Sequence, residues 1–136
     1  MTVGETKDAG FQIGVSRTLP HPRERVWDFV VSPEGLALWL GDLGDAVRLT
    51  PGKGARYTTA GGTTGEVRSF REYDRVRLTW RPRDWDHDTT VQVAVSGDGG
   101  KTVLRFHQEW LADAGERSQQ REHWRAAMDR VTAALG

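Results

Sequence analysis

Residues 21–42 read HPRERVWDFVVSPEGLALWLGD, and this stretch decides the fold. Pro22 suits the first turn of a helix, where a missing N–H costs nothing. Beyond it Val26, Phe29 and Val30 recur at i, i+3 and i+4 with Trp27 beside them, the spacing of one apolar helix face. Ser32-Pro33-Glu34 restarts the chain: a capping hydroxyl, a proline at the first helical position and an early acid. A second short helix, PEGLALWL, then runs to Gly41. Upstream, FQIGVSRTL (11–19) sets Ile13, Val15 and Arg17 on one side of a first strand, which Pro20 and Pro22 end. The polar residues 1–10 read as a disordered tail and 11–136 as one domain.

Beyond residue 44 the period changes from 3.6 to 2. DAVRL (45–49), GARYTT (54–59), GEVRSFREY (65–73), RVRLTWR (75–81), TTVQVAVS (89–96) and TVLRFHQEW (102–110) alternate as six further strands. Short turns such as PGKG (51–54), AGGT (60–63) and GDGGK (97–101) separate them, which favours an antiparallel meander. The end, ERSQQREHWRAAMDRVTAALG (116–136), carries Trp124, Met128, Val131 and Leu135 on one stripe of a long helix. The class is therefore α+β: a seven-stranded antiparallel sheet, two short helices and a long C-terminal helix covering one face. Val76, Leu78 and Trp80, then Val91, Val93 and Val95, then Leu104 and Phe106, form the covered face.

Composition excludes several functions. Nineteen Lys plus Arg against nineteen Asp plus Glu leave no net charge, so nucleic-acid binding is not expected. Without cysteine there is no disulfide, thiol catalysis or thiolate metal site. No apolar run reaches the roughly 18 residues of a membrane span, and the first ten residues lack a signal core, so a cytoplasmic protein is expected. DWDHD (84–88) gathers three aspartates and His87 in one turn. Metal sites draw ligands from separate elements, so this reads as a solvated hairpin and no metal or other cofactor is expected. None of the four histidines pairs with a GxSxG serine. GKGA (52–55) and AGGTTG (60–65) do not open helices and are turns rather than phosphate loops.

The element order resembles the START-like helix-grip superfamily, and within it the branch named after activators of the heat-shock chaperone ATPase. RERVWDFVVSPEGLALWLG, GEVRSF, RVRLTW, GDGGKTVLRF and HWRAAMDRV carry the match, from about Phe11 to Leu135. The resemblance implies a cavity between the last helix and the sheet. Its candidate lining is Trp39, Tyr57, Ser69, Arg71, Trp80, Val93, Phe106, Gln108, Trp124 and Met128, with His123 near the rim. Ser69 and Arg71 share the parity of Val67, which points them inward unless a bulge turns them to solvent. Trp80, Trp110 and Trp124 are read either as core filling or as ligand walls, and His107 as a surface group. The resemblance implies a monomer or weak homodimer that binds a hydrophobic or aromatic, lipid- or polyketide-like small molecule, more in keeping with a carrier than an enzyme. Alternatives within it are an aromatase/cyclase using Arg71, Tyr57, His123 or Gln108, a co-chaperone-type interaction domain, and an antibiotic self-resistance protein that sacrifices a backbone glycine.

Overall fold

The computed structural model describes residues 5–6, 10–46, 48–49 and 52–136. Its strands are β1 (Glu5–Thr6), β2 (Gly10–Leu19), β3 (Arg56–Thr58), β4 (Thr64–Arg71), β5 (Arg75–Trp80), β6 (Thr89–Ser96) and β7 (Thr102–Leu111). Its helices are α1 (Arg23–Val30), α2 (Pro33–Trp39) and α3 (Ala114–Leu135). All strands join one antiparallel sheet in the order β1-β2-β7-β6-β5-β4-β3. This is the helix-grip α+β architecture.

The expected strands are present with one exchange. At 45–49 the chain forms a 3-10 turn over Gly44–Ala46 instead of a strand, and Val47 lies outside the described residues. Asp42 is the reason: its carboxylate accepts from the Gly44 N–H at 2.7 Å while Gly44 takes φ +62°. Such a local side-chain bond offers the backbone an alternative to the ladder. The seventh strand comes from the expected tail, where Glu5 and Thr6 pair with Phe11 and Gly10. Residues 1–4 and 7–9 of that tail lie outside the described residues.

The opening stretch folds as its punctuation dictates. Ser32 Oγ accepts from the Gly35 N–H at 3.1 Å and donates to the Phe29 carbonyl at 2.6 Å. One side chain thus closes α1 and opens α2. Gly35 is required by space: a Cβ there would sit 1.9 Å from the Phe29 carbonyl oxygen. Trp39 donates its indole N–H to the Val30 carbonyl at 2.9 Å, tying the end of α2 back to the end of α1. α3 starts at Asp113, whose carboxylate accepts from the Glu116 N–H, and Glu116 reaches back to the Ala112 N–H. This is the reciprocal logic of a capping box.

Register builds the covered face in rows. Val67, Leu78, Val91, Gln108 and Ile13 form one, and Phe70, Val76, Val93, Phe106 and Val15 the next. α3 lies chiefly over β2 and β7 with α2 beside it. Toward β4 the cover is α1, whose Trp27 meets Phe70 edge-on at 5.7 Å. Arg17 reaches the flank of α3, donating to Asp129 at 2.7 Å and Thr132 at 3.1 Å. On the opposite face the rows read Ser69, Arg77, Gln92, His107, Gly14 and Arg71, Arg75, Ala94, Arg105, Ser16.

Candidate functional site

The residues expected to line a cavity meet one another instead. Val93, Phe106, Gln108, Trp124 and Met128 each expose 0 % of their surface, so no void that admits a water touches them from inside or out. Their rings form a continuous column: Trp39 lies 6.1 Å from Phe106, Phe106 5.1 Å from Trp124, and Trp124 5.9 Å from Trp80. The face between helix and sheet is packed with side chains at these positions. Trp80 and Trp124 belong to that packing, whereas Trp110 is half-exposed.

Gln108 sits at the centre of a buried polar relay. Trp124 donates its indole N–H to Gln108 Oε1 at 2.8 Å, Gln108 Nε2 donates to Thr89 Oγ1 at 2.9 Å, and Thr89 donates to the Trp80 carbonyl at 2.7 Å. Because indole can only donate, the amide orientation is fixed. Tyr57 is buried on β3 opposite Gly65 and donates its hydroxyl to the Thr79 carbonyl at 2.6 Å. Burial, helped by the charge of Asp88, pushes its pKa well above the usual phenol value.

Ser69 and Arg71 are corrected outward. The register shifts between Val67 and Ser69, after which Ser69 pairs with Arg77 and Phe70 with Val76. The extra residue inverts the parity of all that follows. Phe70 enters the covered face, and Arg71 sits exposed with Asp74 at 3.9 Å.

A second group forms where the β5–β6 connection folds back on the first turns of α3. Trp85 meets Trp80 edge-on at 5.5 Å, and His87 stacks on Trp85 at 5.1 Å. His87 also lies between Asp86 at 2.8 Å and Glu116 at 2.7 Å. The hydrogen bond to Asp86, then that to Glu116, raises its pKa above the ordinary imidazole value. His123 lies 5.6 Å from Trp80 and 4.8 Å from Trp124. Burial, then the charge of Arg130, lowers its pKa, which favours the neutral imidazole. Three buried polar atoms among the described residues lack a hydrogen-bond partner: Trp80 Nε1, Gln120 Oε1 and His123 Nε2. Trp80 and His123 are ring neighbours, and Gln120 is one turn before His123 on α3, so an apolar aromatic wall carries a donor, an acceptor and an imidazole nitrogen. Native interiors rarely leave such groups unpaired.

Glu116 and Gln120 belong to no motif in the sequence, and Trp85 and His87 stand out there only as part of the DWDHD turn. The signal was Gln120, His123 and Trp124 at i, i+3 and i+4, three chemistry-bearing groups on one helix face. DWDHD is not wholly solvated either, since His87 leaves the hairpin to join α3. Among the described residues no group of three His, Cys, Asp or Glu converges as a metal site. A surface groove of about 410 Å³ opens elsewhere, between Val31, Leu49 and Phe70 with Arg48 and Glu72. None of the ten expected lining residues borders it.

The family model described as Activator of Hsp90 ATPase homolog 1-like protein matches residues 20–136. No curated protein matches the chain. Among solved structures it is similar to CalU16 from Micromonospora echinospora, at TM-score 0.77 and 17 % identity over 91 % of this chain and 73 % of that one. It is similar to DynU16, a putative protein in the dynemicin biosynthetic locus, at TM-score 0.75 and 22 % identity. That match covers 91 % of this chain but 46 % of DynU16, so the chain spans under half of that relative. An HSP90 activator from Plasmodium falciparum matches at TM-score 0.73 and 16 % identity, over 92 % of this chain and 96 % of its own. At these identities the likeness concerns the fold.

Proposed function

This chain belongs to the Activator of Hsp90 ATPase homolog 1-like family, and from that premise we propose that it binds a hydrophobic or aromatic small molecule between α3 and the sheet, without catalysis of its own. The observation that carries the reading is the trio of unpartnered polar atoms on the aromatic wall at the β5–β6 end. A flat, largely apolar ligand with an oxygen-bearing edge answers both halves of that wall. Its ring stacks against Trp80 and His123, and its hydroxyl and carbonyl groups take up Gln120 Oε1 and Trp80 Nε1. The packed column Trp39–Phe106–Trp124 sets the depth of the site, so the ligand enters from the β5–β6 end and displaces Trp85 and His87. The His87–Glu116 contact is the latch that such entry opens.

The non-catalytic reading rests on how the candidate acids and bases are occupied. Tyr57 donates to a backbone carbonyl, Gln108 is consumed in the relay, and Arg71 faces solvent. His123 alone remains, and acid/base chemistry on a poly-ketone chain asks for a pair. A likeness to a protein in the dynemicin biosynthetic locus keeps aromatase/cyclase activity as the alternative, and product formation from a poly-ketone thioester separates the two.

The test is a titration with flavonoids, aromatic polyketides, sterols and fatty acids, followed by tryptophan fluorescence and thermal shift. A ligand at a hundred times its Kd adds about 2.7 kcal/mol, which for a chain of this size is several degrees in Tm. The expected result is a shift with an oxygenated aromatic class that a Gln120→Leu/His123→Phe variant loses while keeping its fold. A shift with no class, or one indifferent to that variant, sinks the proposal.

A further inference from the structure

The uncovered face of the sheet carries a charge pattern that ligand binding does not use. Arg71, Arg75, Ala94, Arg105 and Ser16 lie side by side across five strands, and Ser69, Arg77, Gln92, His107 and Gly14 form the row beside them. Arg77 is committed, donating to both oxygens of Glu109 at 3.4 and 3.2 Å. Arg75 and Arg105 have no hydrogen-bond or ion-pair partner among the described residues. They flank Ala94 in the register, so their Cα atoms stand about 10 Å apart, the width of two strand spacings. The Arg105 guanidinium lies over Gly14 of β2, where a Cβ would meet its Nη2 at 3.1 Å. The positive charge of Arg105 is felt nearby, where it joins burial in lowering the His107 pKa.

At the margin of this face Trp110 is 47 % exposed and holds φ +67°, a left-handed conformation costly for an indole-bearing residue. Its ring covers Gly10, where a Cβ would lie 3.2 Å from Trp110 Cε3. Trp110 stands five residues, roughly 16 Å, along β7 from Arg105, and exposed tryptophan and free arginine are the residue types enriched in protein-binding hot spots. We propose that this face docks an extended acidic segment of a partner protein, with Arg75 and Arg105 each taking a carboxylate and Trp110, further along β7, as the apolar anchor. Guanidinium forks match carboxylates in geometry as well as charge. Single-stranded nucleic acid is a poorer fit, since stacking of successive bases asks for several aromatic platforms and Trp110 is the single exposed ring at this face among the described residues.

The experiment is fluorescence anisotropy with a short labelled Glu/Ser peptide, its Gln/Ser counterpart and a single-stranded RNA, at low and at moderate salt. The Glu peptide is expected to bind in preference to the other two and to weaken with salt. R75Q/R105Q is expected to lose about tenfold in affinity and W110A a comparable amount, with unchanged melting temperature for the arginine variant. R130A, whose guanidinium lies against the Leu38 carbonyl of α2 on the covered side, leaves binding unchanged. Equal binding of the Glu and Gln peptides, tighter binding of RNA, or indifference to R75Q/R105Q overturns the proposal. So does concentration-dependent self-association abolished by R75Q/R105Q, which would assign the face to a second copy of the chain.

Discussion

Phe106→Ala tests the claim that side chains fill the space between helix and sheet. Phe106 is fully buried, pairs in register with Val93 and Val15, and is flanked by Trp39 at 6.1 Å and Trp124 at 5.1 Å. Removing such a ring costs about 3–5 kcal/mol. About 2 kcal/mol of that is lost transfer free energy. The remaining ~2 kcal/mol, at about 24 cal/mol per Å³, corresponds to a residual cavity of roughly 80 Å³. Two large indoles pinned by hydrogen bonds, Trp39 to Val30 and Trp124 to Gln108, cannot easily collapse into it. With about 3–4 °C per kcal/mol for a chain this long, the melting temperature should drop by roughly 10–15 °C. The variant should also take up xenon, seen by xenon NMR, because a dry apolar cavity holds such probes. The wild type should not. A loss below about 1 kcal/mol, or xenon uptake by the wild type as readily as by the variant, would refute the reading of a filled interior.

Gln108→Leu leaves the Trp124 indole N–H buried without an acceptor and is expected to cost about 1–3 kcal/mol in denaturant unfolding; a loss near zero contradicts the relay. Gly35→Ala drives a Cβ to 1.9 Å from the Phe29 carbonyl oxygen, and its cost should lie at or above the upper end of the roughly 1–3 kcal/mol typical of overpacking. The histidines set opposite pH trends. His123 and His107 have lowered folded pKa values, so below about 6.5 the unfolded chain takes up protons first and stability falls as the pH drops through the lowered values. His87 has a raised value, so its contribution is fully present below about 6.5 and is lost as the pH rises through the raised value. Unfolding followed between pH 5 and 8 should therefore show a flatter acid limb below about 6.5 in His123→Phe, and in His87→Gln a smaller loss of stability as the pH rises above about 6.5; identical profiles in all three proteins contradict the assignment.

Where the residues speak to neighbours a few positions away, the sequence was readable. Pro22, the Ser32-Pro33 restart and the alternating valines of 91–95 act through local sterics and parity, and the elements they mark are all present. The stripe Trp124, Met128, Val131 and Leu135 is buried as its spacing demands. What escaped reading depends on single residues or on distant partners. One extra residue between Val67 and Ser69 reverses the side on which Arg71 stands, and nothing in VRS (67–69) announces it. Asp42 turns the chain at Gly44 through one hydrogen bond and removes a strand whose alternation looked sound. His87 reaches Glu116 across 29 positions, so its hairpin could only be read as solvated. The filled interior belongs to the same class, since whether Trp39, Phe106 and Trp124 line a space or occupy it is decided by how they meet.

The pairing of β2 with β7 has a consequence in time. Leu19 lies opposite Thr102, so β2 has no partner on that side until 83 further residues (102 − 19) have been made. At about 5–20 residues per second that is roughly 4–17 seconds during synthesis. Through that interval the growing chain can assemble the β3–β6 meander, but β2 waits with its apolar side chains and one row of amides open. Closure of so long a loop is slow compared with hairpin formation. Pro20 and Pro22, set directly after the waiting strand, limit how far it can extend into a wrong partner before β7 arrives.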